Sequence, residues 1–253
     1  MSDEKVAGPT EVDLPEDVLP THDDEPHVEQ NENRLNRLRA GVLGANDGIV
    51  SVAGIVVGVA GATIESGPIL TAGVAGLVAG AVSMALGEYV SVSSQRDAEK
   101  SLLAKERREL AEDPEEELEE LAAIYQAKGL APETAMQVAR ELTEHDAFAA
   151  HVEAELKIDP DDLTSPTQAA VTSAIAFTLG GVLPLLAILL PPASWRVPVC
   201  VVAVLVALGI AGWAGARLGG AAPLKAMLRV VIGGGLGLAV TYGIGLALGT
   251  AVG

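Results

Sequence analysis

The chain has 253 residues, is 49% hydrophobic, and yet carries a formal net charge of −18. A single soluble domain does not reconcile those properties, whereas a chain divided between lipid-facing and acidic water-facing segments does. The acidity argues against a nucleic-acid partner, which needs basic patches, and favours cations. The lone cysteine, Cys200 in an apolar run, excludes a disulfide framework or an intrachain thiolate zinc site. It reads as a buried small hydrophobe.

Residues 1–33 are rich in Asp, Glu and Pro and poor in large apolar side chains. They cannot offset the entropy of ordering, so a disordered acidic tail is expected. His22 and His27 fall within it. The tail has no apolar h-region, so no cleavable signal peptide is expected. Residues 34–62 open with Arg34, Arg37 and Arg39 and then run apolar and glycine-rich, a first membrane helix. The segment 63–68 is expected to be a turn, with Gly67-Pro68 as breaker. Residues 69–93 form the second span, followed by a change to highly charged sequence with helical periodicity up to about residue 165.

In that insert, residues 95–111 are expected to continue the second helix into water. Asp113-Pro114 breaks it, and Pro114 suits the first turn of a new helix. Leu118, Leu121 and Ile124 recur at helical spacing, and Gly129 is a suitable stop. Pro132 starts a third helix, with Ala135, Val138, Leu142, Val152 and Leu156 among its apolar positions and 159–162 as its end. Three further apolar segments, 167–190, 195–216 and 226–252, are each near the roughly 20 residues that cross a bilayer. The expected architecture is therefore an all-α membrane protein of five transmembrane helices, with a three-helix acidic insert between the second and third. Its parts are the tail (1–33), spans one and two (34–95), the insert (96–165) and spans three to five (166–253).

Basic residues cluster before the first span, after the second (Arg96, Lys100) and between the fourth and fifth (Arg217, Lys225, Arg229). With five spans these share one side, and the positive-inside rule makes it the cytoplasm. The insert is then cytoplasmic, the N-terminus inside and the C-terminus outside. Five GxxxG pairs, at 44/48, 54/58, 76/80, 233/237 and 245/249, predict close helix packing.

Within the spans, Asp47 stands out. An acid at membrane depth costs roughly 2.5–3.5 kcal/mol even on a lenient scale, so it marks a site or a structural interhelical hydrogen bond. Met84 and Glu88 are four apart on the second helix and share a face. Together with Asp47 they could line a cation path. Equally, Met84 could be ordinary packing and Glu88 an interfacial residue. In the insert, Glu106/Glu109 and Glu117/Glu120 are pairs three apart on successive helices, to which Glu153 and His145 could add donors. Converging carboxylates would make a hard oxygen site for Fe²⁺, Mn²⁺ or Mg²⁺ rather than copper(I). From spacing alone, a solvated acidic helix explains these glutamates more simply. No enzyme is expected. The Glu-x-x-His pairs of a di-iron bundle are missing, Glu141 and His145 being four apart, and no phosphate loop, nucleophile elbow or dinucleotide fingerprint occurs.

NDGIVS at 46–51, SMALGEYVSVSSQRDAEKS at 83–101 and the acidic insert together resemble the vacuolar iron transporter family, in its bacterial branch, over residues 34–253. The resemblance implies a homodimer with the path between protomers in a bacterial plasma membrane. Its implied function is export of Fe²⁺, and often Mn²⁺, from the cytosol in exchange for protons, serving metal homeostasis and detoxification. The metal is cargo, and no cofactor is implied beyond it. The resemblance also implies that Asp47 is the transport aspartate, Met84 the path methionine, and Glu106, Glu109, Glu117, Glu120 and Glu153 the cytoplasmic metal ligands. The chain departs from plant-type members at Ala40 and Gly76, each in place of an acid, and at Ala149-Ala150, in place of two methionines. The second reading is a membrane-anchored cation buffer or sensor without transport, for which an intramembrane acid has no use.

Overall fold

The computed structural model describes residues 28–160 and 163–252, with side chains from residue 41 to 250; the first 27 residues of the acidic tail lie outside it. The described residues are helical between short connections. The helices are α1 (Val28–Ala62), α2 (Ser66–Glu112), α3 (Pro114–Ala127), α4 (Pro132–His151), α5 (Pro166–Leu189), α6 (Arg196–Leu218) and α7 (Pro223–Val252). Five of them contain segments long and apolar enough to cross a membrane: α1 from Gly41, α2, α5, α6 and α7.

Helix α1 is the centre of the bundle and packs against each of the other four spans. Glycines on opposite faces allow this. A Cβ at Gly48 would strike the Phe177 carbonyl of α5, and one at Gly245 of α7 would strike the Gly58 carbonyl of α1. Backbone therefore meets backbone on both sides, the kind of approach that drives helix association where the hydrophobic effect is absent. Val52, Val56, Ile69, Phe177, Ile188, Val204 and Leu208 fill the remaining core. Cys200 is buried there, its thiol 3.6 Å from the Pro184 carbonyl. Pro184 lies within α5. On the side away from the acidic insert, the Arg196 guanidinium donates to the Ile64 carbonyl (2.8 Å) and to Ser66 Oγ (2.5 Å). It ties the start of α6 to the α1–α2 turn.

Gly67-Pro68 does not break the chain as expected. Both residues sit in the first turn of α2, where a proline forfeits only an N–H that has no intrahelical partner. From there α2 runs uninterrupted for 47 residues, about 70 Å, out of the membrane and into the acidic domain. Asp113 leaves helical geometry and Pro114 opens α3. Gly129, at φ 104°, makes the α3–α4 turn, a conformation that glycine adopts without strain.

The third helix of the insert is less regular than its sequence suggests. Asp146 has extended backbone (φ −160°, ψ 97°) in the midst of α4, and its Oδ1 accepts from the Ala149 amide at 2.9 Å. It acts as an internal N-cap that restarts the helix. The restarted segment passes into a π-helical turn over Val152–Leu156, and Lys157, in left-handed geometry (φ 53°), stops it. The end therefore comes before the 159–162 segment. Among the described residues, α3 and α4 touch no membrane helix other than α2. The acidic domain stands on that one stalk, its small core built from Leu121, Ala122, Ala139, Ala150 and Ala154.

Candidate metal centre and transport path

In this three-helix domain a few polar side chains are driven inside. Glu106 of α2 is 3% exposed, Glu117 of α3 6%, and His151, from the restarted segment of α4, 0%. The Nδ1 of His151 lies 3.0 Å from Glu106 Oε1 and 3.5 Å from Glu117 Oε2. Donor atoms of all three residues fall within 4.8 Å of one another. The contacts lack hydrogen-bond geometry, since Glu106 Oε1 and both His151 ring nitrogens are buried without a hydrogen-bond partner among the described residues. Three lone-pair donors thus converge, from three helices, in a place where burying them unsatisfied is costly.

The electrostatics of the cluster point the same way. Burial, followed by the charges of Glu155, Glu117, Glu109 and Glu120, pushes the Glu106 carboxyl up to about 7. Burial, then Glu120, Glu109 and Glu155, also raises Glu117. Burial lowers His151, against an opposing pull from Glu120. Without a cation the site favours neutral imidazole and protonated acid. A divalent ion would supply the missing positive charge and displace those protons, as metal binding does generally. Two carboxylates and an imidazole form a donor set for borderline to hard divalent ions.

The other residues singled out in the sequence are arranged around this core. Glu109 is half-buried and paired with Lys105 at 2.7 Å, and Glu120 is exposed. Both act on the core through their charge. Glu153 is exposed. It lies two residues from the inward-facing His151, which puts it on another side of the helix. Glu155, four residues from His151, is the acid of this turn whose charge is felt at Glu106 and Glu117. Glu155 is itself raised, by burial and then by Glu120. His145 is exposed, and the imidazole of the site is His151. Neither His151 nor Glu155 was singled out in the sequence. Their signal is the i, i+4 spacing beside the alanines at 150 and 154, which can be read only once the helix is restarted at Asp146.

In the membrane, Asp47 is half-buried and accepts a 2.9 Å hydrogen bond from Ser51 Oγ, one turn further on. The α1–α2 register follows from side chains meeting glycines: Ile55 lies against Gly76 and Val56 against Gly73. Carried two turns toward the acidic domain, this antiparallel pairing puts Asp47 level with Met84. Met84 is half-buried against the bundle core, and Glu88, also half-buried, follows one turn nearer the acidic domain. Two polar atoms close by have no partner among the described residues: Asn46 Oδ1, beside Asp47, and Ser173 Oγ on α5. Ser173 lies where α5 meets Gly44.

The VIT family model matches residues 38–246. The chain is 46% identical over 209 residues to a vacuolar iron transporter of Acanthamoeba castellanii, covering 82% of this chain and 77% of that protein. It is 38% identical over 218 residues to vacuolar iron transporter homolog 4 of Arabidopsis thaliana, covering 86% of each. It is 39% identical over 215 residues to vacuolar iron transporter homolog 1 of Oryza sativa, covering 83% of this chain and 73% of that one. The match takes in Met84, the buried triad and nearly all of the five apolar helices; the chain is a membrane transporter of the VIT family.

Proposed function

We propose that the protein exports Fe²⁺ and/or Mn²⁺ from the cytosol in exchange for protons, as a homodimer with the path between protomers. The observation that carries this reading is the buried Glu106–Glu117–His151 triad, held on the same continuous helix that places Met84 level with Asp47. In this mechanism the acidic domain concentrates the cation from the cytosol. Two carboxylates suit Mn²⁺ and the imidazole suits Fe²⁺. The ion passes Glu88 and reaches Met84 and Asp47, where it displaces a proton from Asp47. A proton from the far side later displaces the ion. The resemblance of the motifs and the distribution of basic residues support a bacterial plasma membrane, with the N-terminus inside and the C-terminus outside. Export there would relieve excess cytosolic metal.

Purified protein in liposomes under a pH gradient tests the proposal. Flux of Fe²⁺ or Mn²⁺ that tracks the gradient and collapses in Asp47→Ala is expected; flux unchanged by that substitution overturns it. A metal buffer or sensor is the second reading, favoured by the single-helix attachment of the acidic domain. It predicts metal binding with no flux in either protein.

A further inference from the structure

We propose that Arg107 is a positioning residue for the cytoplasmic metal site, and that by stacking on Phe148 it holds the His151-bearing segment against α2. The inference rests on reading Glu106, Glu117 and His151 as a metal centre. His151 does not ride on a continuous α4. The ladder is interrupted at Asp146, which caps the next segment through the Ala149 amide, and the segment ends at Lys157 in left-handed geometry. This ten-residue arm has its own start and its own stop. The buried apolar residues of the arm are Ala150, Val152 and Ala154; the two alanines remove little apolar surface from water, which leaves Val152 as the one larger anchor. Against that background the Arg107 guanidinium lies 4.3 Å from the centroid of the Phe148 ring, well within the range of a cation–π contact. Phe148 is one turn before His151 on the arm, and Arg107 is the residue after Glu106 on the stalk. The contact therefore joins the two elements next to the pair of ligands they must bring together.

The sign of the effect separates positioning from electrostatics. Arg107 is a cation near a cation site, so by charge alone its removal would tighten metal binding. As a positioning residue, its removal weakens binding, because the imidazole is no longer held at 3.0 Å from Glu106.

The test uses the full chain in detergent, titrated with Co²⁺ alone, whose visible absorption reports ligand type and geometry. Arg107→Ala should weaken Co²⁺ by about 2- to 30-fold, the range a cation–π contact spans, and shift the spectrum toward that of His151→Ala. Phe148→Leu keeps the apolar bulk and every charge and should do the same, while Arg107→Lys should fall between. In a His151→Ala background, Arg107→Ala should cause no further loss, only the slight tightening expected from removing a charge. Tighter or unchanged binding in Arg107→Ala, or an equal loss in the His151→Ala background, overturns the proposal. A His151→Ala protein with unchanged affinity and spectrum instead removes the metal-centre reading on which it stands.

Discussion

Replacing Glu106 by Gln should stabilise the metal-free protein and reduce the stability that metal adds to it. Glu106 is 3% exposed and its carboxyl is pushed up to about 7 from an ordinary value of 4.5. Below about pH 4.5 it is protonated in both folded and unfolded chains and has no effect. Between 4.5 and 7 the unfolded chain ionises while the folded one holds its proton, so stability falls as pH rises. Above 7 the full cost is present. At 1.36 kcal/mol per unit this amounts to about 3 kcal/mol. Gln abolishes that ionisation but still needs hydrogen bonds in a buried site, which cost about 1–3 kcal/mol when unmade. At pH 8 without metal, the variant's acidic domain should thus be up to about 2 kcal/mol more stable than the wild type, with the gain shrinking toward pH 5. With Mn²⁺ at 100 times its dissociation constant, the wild type gains about 2.7 kcal/mol. Loss of a ligand weakens affinity at least as much as the 10–100-fold typical of outer partners, so Gln would gain only about 0.4–1.4 kcal/mol. Hydrogen exchange of the α3 and α4 amides in full-length protein, at pH 5 and pH 8 with and without Mn²⁺, reads both effects. The reasoning is refuted if wild-type protection does not fall between pH 5 and 8, or if Mn²⁺ protects E106Q as much as wild type.

Glu155→Gln should weaken Mn²⁺ binding about 1.5- to 5-fold, a few tenths to one kcal/mol per lost nearby charge in a partly solvated site. Glu153→Gln should change it less than twofold; calorimetric titration of both variants ranks the two acids. Asp47→Asn preserves shape and should leave Mn²⁺ binding by the acidic domain intact while reducing liposome flux at least tenfold. Equal losses of binding and flux would mean a folding defect. Gly48→Val should cost several kcal/mol, because its side chain meets the Phe177 backbone rather than a movable side chain; loss of detergent-stable protein on size-exclusion chromatography would show it.

The spans were legible because their punctuation is strong: Asp113-Pro114, Pro132 and Pro191-Pro192 each fall where a helix starts or has just stopped. Gly67-Pro68 misled because the same pair that breaks a helix interior is harmless in a first turn. The site was half legible. Glu106 and Glu117 lie on helices whose phase is regular, so their spacing carried over into space. His151 and Glu155 lie beyond Asp146, where the helix is restarted, and inside a π-turn that adds a residue to the turn. Each event shifts the face on which every later residue falls. A uniform period run from Pro132 therefore favours Glu153, which faces solvent; His145 precedes both events and is exposed as well. Ala150 fills the core, and the donor of this turn that is not a carboxylate is the imidazole one residue later.

The uninterrupted course of α2 sets an azimuth as well as a reach. Met84 and Glu106 are 22 residues apart, about 33 Å along the axis and six full turns plus about 40°. Both side chains therefore leave the helix toward nearly the same compass bearing. Met84 faces the bundle core, so the triad around Glu106 is hung over the helices rather than out above the lipid. Any twist of α2 about its own axis would swing the triad's Glu106 and Met84 together, like two hands fixed to one spindle.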